Sequence, residues 1–153
     1  MANCLSKKTI LIEDTRNKIG KHNNIFKYCK EHDIEIQRKV LNVGDYMLPQ
    51  GTIAVDTKQS LSELTNDLYT DKLAFNKKYK KCLKDGIRLI VLVEEPIKDL
   101  TELVAWKSKH SRINGRLLLD MIHTIQVSYG VKFVFCDKKN TGETLLKLLK
   151  GSK

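Results

Sequence analysis

The apolar positions of this chain change period several times. "TILIEDTR" (9–16) begins apolar and ends charged, which predicts a strand with a polar exit. His22, Ile25, Phe26 and Cys29 recur at helical spacing and predict a helix over about 22–32. "IEIQRKVLNVGDYML" (34–48) supplies one long or two short strands, and Pro49-Gln50-Gly51 supplies turn chemistry before the strand "TIAVDTK". The longest periodic segment is 61–84. Leu61, Leu64, Leu68, Phe75, Tyr79 and Cys82 trace one stripe of a single helix, and Lys77, Lys78, Lys80, Lys81 and Lys84 face away from it. "DG" at 85–86 ends that helix, and "IRLIVLVEE" reads as a strand covered on both faces. "GRLLLDMIHTIQVSYG" predicts a helix with Leu118, Met121, Ile122 and Ile125 inward and His123 as a core histidine. "VKFVFCD" is a further strand, and Thr141 is expected to cap a last helix, "GETLLKLLKG". Strands alternating with helices predict an α/β fold on a mixed sheet.

Composition narrows the class. At 153 residues the chain suits one domain with a real core, with no repeat and no Pro/Gly-rich linker to divide it. No apolar run approaches a membrane span, and "MANCLSKK" lacks the apolar core of a signal peptide. Cys4, Cys29, Cys82 and Cys136 are widely spaced, with no CxxC, which argues against a zinc knuckle or a disulfide framework. A cytoplasmic protein is the expectation. The 28 basic residues outnumber 18 acidic ones, a net charge of +10, which favours a polyanionic partner.

The hairpin "GDYMLPQGTIAVDTK" (44–58) carries the candidate chemistry. Alternation puts Ala54, Asp56 and Lys58 on one face of its second arm. With the turn centred on Pro49-Gln50, residue 45 is expected opposite residue 54, and Asp45 then lies one diagonal step from Asp56. Two carboxylates there could hold one hard cation such as Mg²⁺, with Lys58 in reach of anything bound to it. That combination suits phosphodiester hydrolysis. By itself the spacing is also met by a polar turn and a surface ion pair.

Taken in order, Asp14-Thr15-Arg16, Gly44-Asp45-Tyr46, Asp56-Thr57-Lys58 and the following "SLSELTNDL" resemble the XPF-type nuclease domain of the PD-(D/E)xK superfamily, in its compact stand-alone phage and bacterial form. The resemblance spans about 8–150. It implies a restriction-endonuclease-like fold, a central mixed sheet flanked by helices, and a single nuclease domain over 1–153. It also implies Mg²⁺ or Mn²⁺ held at Asp45, Asp56 and Thr57, with Asp45, Asp56, Lys58 and Asp14 catalytic. The implied activity is endonucleolytic cleavage of DNA, selective for branched or flapped duplexes. A Holliday-junction-resolvase-like nuclease and a DNA-binding module with a decayed centre are the alternatives, and the survival of both acids and the lysine favours activity.

The chain departs from the family pattern at three points. Asp56-Thr57-Lys58 stands where Glu-Arg-Lys is usual, Asn17 replaces a Glu, and the acid four residues past the lysine falls on Ser62. Glu63 is the nearest substitute, and Arg16 a further accessory residue. Lys18, and Lys107, Lys109, Arg112 and Arg116 around Trp106, are candidate phosphate contacts. Glu94 and Glu95 close a strand and are not assigned to the site. No helix-hairpin-helix module is legible, so DNA affinity is expected from this domain, a homodimer or another protein. If phage-encoded, the protein would work in the bacterial host cell.

Overall fold

A computed structural model describes residues 8–108 and 112–151; Lys109 and His110 lie outside the described residues. One six-stranded sheet runs in the order β2-β1-β3-β4-β5-β6. Its strands are β1 (Ile10–Asp14), β2 (Glu35–Lys39), β3 (Tyr46–Met47), β4 (Ile53–Lys58), β5 (Arg88–Val93) and β6 (Lys132–Phe135). Only β3 runs against its neighbours, so the carboxyl ends of the other five strands share one edge. The sheet is mixed and flanked by helices, the α/β architecture expected from the residue pattern.

The two faces carry separate cores. Ala54, Leu89, Val91 and Val93 pack with Leu64, Phe75, Tyr79, Leu118 and Ile122. Leu11, Tyr46, Val55, Ile90 and Leu92 pack with Ile25, Cys29, Leu145 and Leu149 on the other. The second face is covered by α1 (Asn23–Glu31) and α5 (Thr141–Leu149), the first by α3 (Lys72–Asp85) and α4 (Gly115–Tyr129). β4 and β5 are buried almost throughout, which accounts for the unbroken apolar run of β5. Among the described residues no helix is long and apolar enough to cross a membrane.

Several expectations need correcting. The segment 61–84 is not one helix: a short α2 (Leu61–Thr65) passes through a π-helical turn (Asn66–Thr70) before α3 begins. The single stripe hid the break because its apolar residues stay inward on both sides of the turn. Of the one long or two short strands allowed for 34–48, the structure has the two, separated by the loop 40–45. Residues 100–105, unassigned in the sequence, form a 3₁₀ turn. His123 is exposed rather than in the core. Thr141 is the first residue of α5, not its cap, and its hydroxyl donates to Glu94 Oε2 at 2.9 Å.

Hairpin register differs too. Gly51 N donates to Leu48 O at 3.0 Å, so Pro49 and Gln50 do form the turn, with Gln50 at φ 59° as a type II turn requires. The paired residues, however, are Tyr46 with Val55 and Met47 with Ala54. The loop takes in Gly51 and Thr52, and the register moves by two residues. A shift of two preserves the side-chain face, and it brings Asp45 closer to Asp56 than the expected diagonal.

Candidate active site

Asp45 stands where the loop enters β3. Its amide donates to Val55 O at 2.8 Å, and its carbonyl accepts from Asp14 N at 2.8 Å, so the backbone is fixed between β4 and β1. Gly44 precedes it at φ 77°, and a Cβ there would lie 3.1 Å from both Ala54 Cβ and Val55 O. That close approach requires glycine. Asp45 Oδ2 accepts from Thr57 N at 2.8 Å and from Thr57 Oγ1 at 2.6 Å.

Asp56 projects from β4 on the α3 side and is buried. Its carboxyl lies near enough to that of Asp45 for the charge of each to act on the other. Lys58 Nζ lies 3.4 Å from Asp56 Oδ2 and is also paired with Asp67 Oδ2. Lys78 Nζ reaches the same Asp56 oxygen at 3.2 Å. Both ammonium groups sit over the Phe75 ring, at 5.0 Å and 4.4 Å from its centroid. Lys58 is only 8% exposed, Lys78 29%. The buried cation is locked between two acids, and the other is open to a ligand.

These charges set the protonation states. Burial and the charge of Asp56 push Asp45 up to about 6, against the opposing pull of the Thr57 bonds. Burial alone would raise Asp56, but Lys58 and Lys78 outweigh it and hold that carboxyl below its ordinary range. Burial would lower Lys58; Asp56 and Asp67 carry it instead up to about 12. One carboxyl of the pair is therefore the proton's preferred seat, and Lys58 remains an ammonium throughout the neutral range.

Other sequence candidates fall around this core. Asp14 is buried at the end of β1, with Oδ1 accepting from Leu41 N at 3.1 Å and Oδ2 from Arg16 Nε at 2.7 Å. Arg16 also donates to Leu41 O. Both thereby brace the loop that delivers Asp45. Glu63 turns back to the start of α2: Ser60 Oγ accepts from Glu63 N at 3.1 Å, and Glu63 Oε2 from Gln59 N at 3.0 Å. The arrangement resembles a capping box, with the return bond made to the amide of the residue before the N-cap. Lys18, Lys107, Arg112 and Arg116 are exposed. Lys107 bridges Asn114, the N-cap of α4, and Arg112 and Arg116 stand on either side of Asn114 in the chain. Because α4 leads from the carboxyl end of β5 back to the start of β6, its N-terminus faces the sheet edge that carries Lys58.

A family model for the ERCC4 domain matches residues 12–148. The chain belongs to the ERCC4 domain family. Its fold is similar to that of XPF from Aeropyrum pernix, with a TM-score of 0.66 and 19% identity. That match covers 92% of this chain and 60% of the archaeal one, so the chain spans less than two thirds of that protein. No curated protein sequence matches it.

Three residues of this ERCC4 domain escaped sequence reasoning. Asp67 rides on the π-helical turn, which a continuous helical stripe could not reveal. Lys78 was expected to face away but turns toward Asp56; its place beside Phe75 and Tyr79, at the border of the stripe, was the available signal. His22 is buried just before α1, with Nε2 3.2 Å from Thr57 Oγ1. Its apolar helical neighbours were visible, and its partner on β4 was not.

Proposed function

We propose that this ERCC4 domain is a metal-dependent DNA endonuclease that hydrolyses phosphodiester bonds, selective for branched or flapped duplexes. The convergence of Asp45 and Asp56, with Lys58 and Lys78 against them, carries the reading. Among the described residues no three His, Cys, Asp or Glu side chains gather as a metal cage. Two adjoining carboxylates in a half-open site instead fit Mg²⁺ or Mn²⁺, hard cations that keep several waters. A cation held by the two acids would offset the burial and the repulsion that raise Asp45. Val55 O faces Asp45 and Lys58 O faces β5, accepting from Glu94 N at 2.8 Å. By strand alternation the Thr57 carbonyl shares the Asp45 side, where it could complete the ligand set.

A divalent ion held there would activate a water and offset charge on the phosphate oxygens. Asp45 and Asp56 would hold it, and Asp14 holds the Asp45 loop through Leu41. Lys58, kept protonated, is no general base: it acts as a fixed positive charge toward the attacking water and the charge developing on phosphorus. Lys18, Lys107, Arg112 and Arg116 supply backbone contacts along the same edge, and a homodimer would extend them. A DNA substrate places the protein inside a cell.

The test is cleavage of labelled duplex, flap, fork and four-way DNA by the purified protein with Mg²⁺, Mn²⁺ or EDTA. Nicking of branched substrates that EDTA abolishes is expected, with Asp56→Ala inactive but still binding DNA. Cleavage that survives EDTA or Asp56→Ala overturns the metal mechanism. Tight DNA binding without cleavage by the unaltered protein would identify a decayed centre.

A further inference from the structure

We infer that His22 and Thr57 are positioning residues: a buried hydrogen-bond relay, imidazole to hydroxyl to carboxylate, fixes how Asp45 presents itself to a divalent ion. The inference rests on the reading of Asp45 as a metal ligand.

The direction of the relay follows from counting protons. Thr57 has one hydroxyl proton and two neighbours, Asp45 Oδ2 at 2.6 Å and His22 Nε2 at 3.2 Å. The carboxylate is the better acceptor and the nearer one, so the proton goes there. The hydroxyl oxygen then accepts from His22, which requires the hydrogen on Nε2. Nδ1 is left as an acceptor, and it is buried with no hydrogen-bond partner in the protein. An imidazolium would bury an unmatched N–H at Nδ1 as well as a charge. Both are costly, and the neutral Nε2–H form is the one the surroundings select.

Every member is held in place. Thr57 is 1% exposed and His22 5%. The His22 ring packs edge-on to Tyr46, with centroids 5.9 Å apart. Tyr46 itself is anchored by donating to Glu13 Oε2 at 2.5 Å, while Arg38 bonds Glu13 Oε1 at 2.7 Å. The Thr57 amide adds a second bond to Asp45 Oδ2 at 2.8 Å. One carboxylate oxygen is thus held by two donors from β4. The relay reaches through the sheet: His22 belongs to the α1 and α5 side, Asp56 to the α3 side. A hydroxyl on the intervening strand is what joins them, and a valine there would fill the same volume without the bond.

Mn²⁺ titration of the full chain without DNA tests the relay. Thr57→Val should weaken Mn²⁺ binding by about 10–100-fold, the usual cost of losing an outer partner of a metal ligand. Thr57→Ser, which keeps the hydroxyl, should stay within about threefold of the unaltered protein. His22→Leu should weaken binding in the same direction, and His22→Gln, whose amide can replace the Nε2–H donor, should restore most of it. Thermal unfolding of each variant establishes that it is folded. A merely structural Thr57 would lower melting temperature and leave Mn²⁺ affinity unchanged in the folded fraction. Imidazole ¹⁵N shifts of the unaltered, metal-free protein should show His22 as the Nε2–H tautomer. Undiminished Mn²⁺ affinity in Thr57→Val, or an Nδ1–H tautomer, overturns the relay while leaving the metal site standing. No Mn²⁺ binding by the unaltered protein refutes the metal reading itself, and the relay with it.

Discussion

Lys78 Nζ lies 3.2 Å from Asp56 Oδ2, so a helix 22 residues further along the chain supplies a cation to the central carboxylate. Lys58 comes from the same strand as Asp56 and is tied down by Asp67. Lys78 is the freer of the two.

Lys78→Met removes one of two charges that keep Asp56 ionised. Its kcat/KM should fall at least about tenfold near neutral pH, and the acid limb of the pH–rate profile should move upward. Lys78→Arg should recover part of the loss, since it keeps charge but not an ammonium's shape. A profile that overlays the unaltered enzyme would separate Lys78 from the reaction.

Lys58 and Asp67 should behave as a unit. Lys58→Ala is expected to lower single-turnover kcat by about two orders of magnitude or more with KM little changed, because its charge acts in the transition state. Asp67→Asn frees Lys58 from one of its two acids and should cost about tenfold in kcat. The double variant should be no worse than Lys58→Ala alone, the non-additivity expected of contacting residues. Additive losses would show that Asp67 acts elsewhere.

Asp45 gives the metal-free protein a pH dependence of unusual sign. Its carboxyl is raised from 3.8 to about 6, so the folded state holds the proton more tightly than the unfolded one. The resulting stabilisation is present below the unfolded value and is lost as pH rises through about 6. Metal binding needs the ionised form. The rise in melting temperature on adding Mg²⁺ should therefore be small at pH 5 and grow toward pH 7. Differential scanning fluorimetry with and without Mg²⁺ measures this, and Asp45→Asn should remove both trends. An Mg²⁺ effect independent of pH would exclude Asp45 as a ligand.

DNA affinity should be chiefly electrostatic. The slope of log K against log salt is about −0.9 per phosphate neutralised on B-DNA, so replacing Lys107, Arg112 and Arg116 together should flatten it by roughly two to three. Fluorescence anisotropy across a salt series gives the slope. An unchanged slope would show that the loop before α4 does not touch the backbone.

Much of the candidate site was legible in the sequence. Period-two alternation puts Asp56 and Lys58 on one face of β4 whatever the tertiary structure, because a strand cannot do otherwise. The glycine at 44 and the turn residues Pro49-Gln50 are local signals, and the structure has the positive φ and the turn they announce. The register was not legible. A turn is defined by four residues, but pairing depends on how many more the loop absorbs, and Gly51 and Thr52 moved it by two. The face survived because two residues is one full period.

What the tertiary structure decided lies across gaps in the chain. Asp67 reaches Lys58 because a π-helical turn interrupts the helix, and such a turn leaves the apolar stripe intact. Lys78 and His22 each meet β4 from opposite sides of the sheet, at separations of 22 and 35 residues. Glu63 was the nearest acid in sequence, and the start of α2 uses it locally, on the Gln59 amide. Residue order fixes periodicity, turns and caps, since these are interactions between neighbours. Which charged side chains neutralise one another is settled only when the sheet and its helices pack, because burial makes each unpaired charge costly and selects the partners that are near in space.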